Sequence, residues 1–269
     1  MPYDLLVCDL DGTLVESGGG LDPTLAAALR GAASRGLLIS IATGRMPPGV
    51  DQYRDALGLT APLIFYNGAL IRDHRAGRDL LALTLPRGLL WTAYSVFARA
   101  PVHPLFYRDD QLYCLERSMP VRTYSDEQGV KAHVIPAPDD FLRMGGFVKS
   151  LFIGHPDLLP ILRGELEGAV GGGARLVMTR RDYLEMVPAG ASKGMALRQL
   201  AEHLGVPLPR VIAVGDQEND LEMIAAAGLG VAMSHAPESV RSAADRIAPP
   251  AGEGGLLALF RALMPGRFP

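Results

Sequence analysis

The stretch that most constrains this chain is Leu5–Val15, Leu-Leu-Val-Cys-Asp-Leu-Asp-Gly-Thr-Leu-Val. Its first four residues are a short apolar run, which predicts a strand buried on both faces of a parallel sheet. The run ends in Asp9-Leu10-Asp11-Gly12-Thr13. Carboxylates two residues apart at a strand exit point to the same side of the chain. Gly12 lets the backbone turn, and Thr13 adds a hydroxyl and an N–H. The acids therefore sit where open α/β sheets bind ligands, outside the carboxyl ends of their strands. Two such charges repel by about 4 kcal/mol at roughly 4 Å and an effective dielectric near 20, so they need a cation or a shared proton. An acidic turn after a core strand would account for a lone Asp-x-Asp. It does not account for the whole string.

The chain then alternates. Gly18-Gly19-Gly20 reads as a turn, and Asp22-Pro23 as the cap and first position of a helix over 24–35, stopped by Gly36. A second buried strand, 37–42, ends in Thr43-Gly44-Arg45. Hydroxyl, glycine and arginine at a strand end make either an anion seat or a capped loop-to-helix junction. A helix over 51–57 closes at Gly58, and a third strand, 63–66, runs into the turn Asn67-Gly68. Strand, helix, strand, helix, strand is the pattern of a parallel sheet.

From Thr84 to Pro188 the pattern is irregular, with helices expected over 87–98, 118–127 and 158–167 and strands over 111–115, 147–153, 175–179 and 183–187. Gly171-Gly172-Gly173 lacks the Lys-Ser/Thr of a phosphate-binding loop and reads as a turn. The region holds 12 basic and 12 acidic residues, so it is neutral, and it suggests an inserted α+β domain.

The alternating pattern returns at Ala189. Ser192 caps a helix starting near Lys193, an unusual place for a cation because the helix dipole disfavours it. A strand over 210–214 ends in Gly215-Asp216-Gln217-Glu218-Asn219-Asp220. Asp216 and Asp220, four apart across a strand exit and helix start, can face one point above the sheet; a helix N-terminus also favours acids for its own sake. A fifth strand, 230–233, precedes Ser234-His235 and a helix over 236–244. His235 reads as a surface loop residue. Functional-looking residues thus close all five strands.

These motifs, in this order, resemble those of the haloacid dehalogenase-like (HAD) phosphohydrolases. Asp9-Leu10-Asp11-Gly12-Thr13-Leu14 is similar to the first motif, Thr43 to the second, Lys193 to the third and Gly-Asp-x-x-Asn-Asp to the fourth. The Asn-Gly-Ala after the third strand and the size of the insert resemble the Cof-type sugar-phosphatase branch, which carries the larger mobile cap. The resemblance implies a Rossmann-like parallel-sheet core over 1–83 and 189–269, with a cap over 84–188 that governs substrate choice. It implies Asp9 as nucleophile and Asp11 as general acid/base. Thr43, Gly44, Lys193 and Asn219 would bind phosphate, magnesium would be held by Asp9, Asp11 and Asp216, and Asp220, Arg45 and Asn67 would give support. Where the family often has Asn before Ala, this chain has Ser234-His235. The expected activity is magnesium-dependent hydrolysis of small phosphorylated metabolites through an aspartyl-phosphate. A phosphomutase or phosphotransferase with the same intermediate is the alternative, and a phospho-acceptor signalling module is a more distant one.

Composition narrows the classes. With 269 residues, 48% hydrophobic and 20% charged, the chain can bury real cores. A net charge of −3 leaves no electrostatic footprint for nucleic acid. Cys8 and Cys114 are the only cysteines, which gives no disulfide framework and fits a reducing compartment, the cytoplasm. No apolar run approaches a membrane span. The partner expected is a small phosphorylated metabolite, and the oligomeric state is not legible.

Overall fold

Leu5, Leu6, Val7 and Cys8 are all buried, and they form an interior strand of a parallel sheet. In the computed structural model, which describes residues 3–16, 20–135, 137–250 and 254–269, Leu5–Cys8 pairs with Val211–Gly215 on one side and Leu38–Ile41 on the other. The sheet continues through Leu229–Met233 to an edge strand, Arg246–Ala248. On one face Leu5, Val7, Val211 and Ala213 pack with Ala196, Leu197, Leu200 and Ala201 of the helix Lys193–His203. Burying each such leucine side chain is worth about 1.5–3 kcal/mol, so the strand that carries Asp9 is among the best anchored. The helix Pro23–Ser34 starts as expected, with Asp22 Oδ1 accepting the Thr24 N–H at 2.8 Å. Of the expected glycine turn, Gly18 and Gly19 lie outside the described residues, while Gly20 begins a two-residue strand paired with Val15–Glu16.

The third strand differs from expectation. Leu63–Phe65 pairs antiparallel with Leu70–Asp73, which continues to Arg78–Ala82 in a three-stranded sheet. It meets the parallel sheet through a bridge, Ala42 with Ile64, beside the Thr43 N–H donated to the Ile64 carbonyl at 2.9 Å. The turn after it, Tyr66-Asn67-Gly68, has positive φ at all three residues (52°, 54° and 97°). A side chain on Gly68 would run into the Ser192 backbone, so this strained turn is pressed against the start of the Lys193 helix.

By internal contacts the chain divides into two compact units, Met1–Arg45 with Val50–Leu81 and Ser192–Pro269, and Met46–Gly49 with Ala82–Ala191. The second is an α+β insert with a six-stranded sheet. Its order is Ala132–Val134, Gln111–Cys114, His103–Arg108, Lys149–Ile153, Tyr183–Pro188, Ala174–Arg180, and only the first pair is parallel. Helices Arg87–Phe97 and Leu159–Val170 contribute Leu90, Phe97, Leu162 and Leu166 to a core with Phe106, Phe147 and Phe152. The fold class is thus α/β, a Rossmann-like parallel-sheet core with an inserted α+β domain.

Candidate active site

The loop after the first strand is built so that acids from two strands can meet. Gly12 has φ +87°, and a Cβ there would collide with the Asp216 carboxylate, so only glycine allows the approach. The buried Thr13 donates its hydroxyl to Asp216 Oδ1 at 2.9 Å, and the Asp9 N–H bonds to the Val214 carbonyl at 2.8 Å. The first and fourth motifs are thereby joined across neighbouring strands.

Lys193 is the link to the third motif. Its ammonium, 1% exposed, lies 2.6 Å from Asp9 Oδ1 and 2.7 Å from Asp220 Oδ1. The Ser192 side chain caps the helix by accepting the Met195 N–H at 3.0 Å, and its hydroxyl also bonds to Glu222. A Cβ on Gly194 would strike the Glu222 backbone, so close packing of this helix start against the segment after the fourth motif sets the lysine's height. The position that the helix dipole disfavours is occupied because two buried carboxylates need the charge.

Asp220 acts as an organiser. Its Oδ2 accepts the N–H groups of Asp216 and Gln217 at 2.9 and 3.0 Å, while Oδ1 takes Lys193. Asp216 accepts Gln217 Nε2 at 2.8 Å and lies 3.6 Å from His235 Nε2. Oxygens of Asp9, Asp216 and Asp220 fall within 4.8 Å of one another. Three buried carboxylates against one ammonium leave a surplus of two negative charges. Burial first, then Asp220 and Asp216, push the Asp9 carboxyl well above the ordinary range despite Lys193. Burial and Asp220 also raise Asp216, against the hydrogen bonds from Gln217 and Thr13. Burial opposes the charge on Lys193, but Asp220 and Asp9 hold it above the usual lysine value. The site lacks positive charge, and a hard divalent cation on oxygen ligands fits it. Among the described residues Asp220 accepts three donors, Asp216 two and Asp9 one, so Asp9 and Asp216 keep the most capacity for such an ion.

Asp11 does not join this cluster. Its carboxylate, 53% exposed, is gripped by Arg45 through Nε–Oδ2 at 2.8 Å and Nη2–Oδ1 at 2.5 Å. Of the expected metal set, Asp9 and Asp216 are brought together, with Asp220 beside them, while the Arg45 guanidinium fork takes both Asp11 oxygens. Arg45 also lies 5.5 Å from the Tyr53 ring centre. Thr43 is buried, and its Oγ1 accepts the Arg45 N–H at 3.1 Å. Asn67, buried and left-handed, donates its N–H to the Thr43 carbonyl at 3.0 Å and accepts Asn219 Nδ2 at 2.9 Å. Gly44 sits under the Asn67 amide, which would be 3.2 Å from a Cβ at that position. Second and fourth motifs thus meet through the Asn67–Asn219 pair. Sequence reasoning missed Gln217 and Glu222, since nothing in their spacing marks them, and His235 lies nearer Asp216 than a surface loop residue need be.

The match to a family model decides the membership: residues 6–260 fit the haloacid dehalogenase-like hydrolases. The chain belongs to that family. It is a HAD-like hydrolase of the Cof-type phosphatase branch. An HMP-PP phosphatase of Yersinia pestis (strain Pestoides F) is 31% identical over 87% of this chain and 85% of its own length. The chloroplastic endoribonuclease YBEY of Arabidopsis thaliana is 31% identical over 91% of this chain, which spans only 44% of that longer protein. Among solved structures, a haloacid dehalogenase-like hydrolase from Bacteroides thetaiotaomicron covers 97% of this chain and 99% of its own, with a TM-score of 0.88 and 26% identity.

Proposed function

We propose that this HAD-like hydrolase is a magnesium-dependent phosphatase that removes phosphate from small phosphorylated metabolites through an aspartyl-phosphate at Asp9. The observation that carries the proposal is the Asp9 carboxylate, buried with one oxygen held by Lys193 inside a cluster short of positive charge. The relative named as an HMP-PP phosphatase supports a small phosphorylated substrate. Asp9 and Asp216 would hold the ion, which when bound supplies positive charge to the phosphoryl oxygens.

In the first step an Asp9 oxygen bonds to phosphorus as the bond to the leaving oxygen breaks, and Asp11 delivers a proton to that leaving oxygen. In the second, water attacks the phosphorus, Asp11 takes its proton, and phosphate leaves with Asp9 restored. The Thr43 hydroxyl, the Gly44 N–H, Lys193 and Asn219 hold phosphoryl oxygens, so positioning and electrostatics provide most of the rate. Arg45 holds Asp11 at rest, so that pair must open before Asp11 passes on a proton. Asn67 sets Asn219 and the Thr43 loop. The insert governs which leaving group is accepted. Among the described residues no helix is long and apolar enough to cross a membrane. Both cysteines are free thiols, in keeping with a reducing, cytoplasmic setting.

The test is release of inorganic phosphate from a panel of phosphorylated metabolites, with magnesium and with excess chelator. Phosphate release that needs magnesium and disappears in Asp216→Ala is expected. An isomerised sugar without phosphate release, or a stable phosphoprotein without turnover, would overturn the proposal.

A further inference from the structure

A cavity of about 580 Å³ in the insert lies wholly within residues 117–132. It is walled by the helix Met119–Gln128 and by the loop that leads into the edge strand Ala132–Val134. Three of its lining side chains are cations, Arg117, Arg122 and Lys131, and one is an acid, Asp126. None of the three cations forms an ion pair within 4.0 Å among the described residues, whereas Arg45, Arg72, Arg108, Arg163, Arg210 and Arg241 each do. This wall carries a surplus of two positive charges in a protein of net charge −3 and in an insert with equal numbers of acids and bases.

Two of the cations are also held in place. Arg117 grips the Ala132 carbonyl through Nε at 3.2 Å and Nη2 at 2.9 Å, and Arg122 Nε donates to the Arg117 carbonyl at 3.0 Å. A guanidinium fixed at one edge keeps further N–H groups in a planar fork suited to a phosphate or carboxylate. Like charges gathered on one concave wall reinforce each other's field and raise the local concentration of anions. The remaining lining is small or apolar, with Val121, Val130 and Ala132 among it. The volume is that of a small-molecule pocket rather than of a single ion.

We infer that this cavity binds a small organic anion, phosphorylated or polycarboxylate, with its charged end on Arg117, Arg122 and Lys131 and an apolar portion against Val121 and Val130. The site is complete within the insert and uses none of the residues proposed for phosphoryl transfer. It stands whether or not the catalytic proposal does.

Two probes resolve the ligand class: phenylphosphonate, whose P–C bond the enzyme does not hydrolyse, and citrate. Each is titrated into the full-length ¹⁵N-labelled protein in metal-free buffer while backbone amide shifts are followed. Saturable shifts at Val121, Ser125, Val130 and Ala132 with either probe are expected; the tighter probe identifies the class. The double variant Arg122→Gln/Lys131→Gln, both exposed and outside the catalytic machinery, should bind at least tenfold more weakly. It should hydrolyse an aryl phosphate at the unchanged rate and keep its thermal midpoint. Shifts that do not saturate with either probe, or that persist with undiminished affinity in the double variant, would overturn the assignment.

Discussion

Gly12 shows how one missing methyl group holds the candidate site together. Its φ of +87° and its contact with the Asp216 carboxylate leave no space for a side chain. Gly12→Ala should destabilise the protein by about 1–3 kcal/mol, because the strain is stored at a functional turn, and should also weaken metal binding by pushing Asp216 aside. Urea unfolding and magnesium titration of the variant check both. A pH dependence follows from Asp9 and Asp216. The Asp9 and Asp216 carboxyls are raised in the folded protein, chiefly by burial. In metal-free protein the stability they allow is full below about pH 4, the ordinary carboxylate range, and is lost as pH rises through their raised folded values. Saturating magnesium should remove most of that decline, and thermal melts at a series of pH values with and without the ion would show it. A decline of the same size with magnesium present would mean that the ion does not bind these acids.

At the scale of elements, the Lys193 helix depends on its cap. Ser192→Ala removes the acceptor for the Met195 N–H and should cost about 0.5–2 kcal/mol in denaturant unfolding, with Lys193 less firmly seated against Asp9 and turnover reduced. A variant with unchanged stability and turnover would show that close packing at Gly194 and Glu222 fixes the lysine without help. Much of this architecture was legible in the residues. Continuous apolar runs marked the strands at Leu5, Val211 and Leu229, and Asp22-Pro23, Gly58 and Ser192 marked helix ends. What escaped had weak local signals. Pro104 demotes His103–Arg108 as a strand, yet that segment lies inside the insert's sheet, paired on both sides. Arg246–Ala248 is a three-residue edge, and the closing helix Gly255–Leu263 was not anticipated at all. The partnership of Arg45 with Asp11 was equally unreadable, since a contact between residues 34 positions apart depends on the packing of two strand ends rather than on any spacing in the chain.

Across the whole molecule, chemistry and selectivity are assigned to different units. All residues proposed for phosphoryl transfer lie outside Ala82–Ala191, so replacing that segment by a short linker should abolish discrimination among natural substrates while sparing some activity on small activated phosphates. Retained discrimination, in a variant shown by circular dichroism to be folded, would contradict that division. The central claim is narrower: the phosphoryl group passes through Asp9, with Asp11 as its proton carrier. Asp11→Asn keeps the nucleophile but loses general acid–base help, typically worth about 10²–10⁴-fold. An activated aryl phosphate barely needs its leaving group protonated, so Asp9 should still be phosphorylated in that variant while hydrolysis of the intermediate stalls. The measurement is rapid acid quench of Asp11→Asn with the aryl phosphate and magnesium, followed by mass spectrometry of the peptide spanning Asp9. A phosphoryl mass increment on that peptide, absent from Asp9→Asn, is the predicted result; normal turnover by Asp9→Asn, or a phosphoryl group on another residue, would contradict the account.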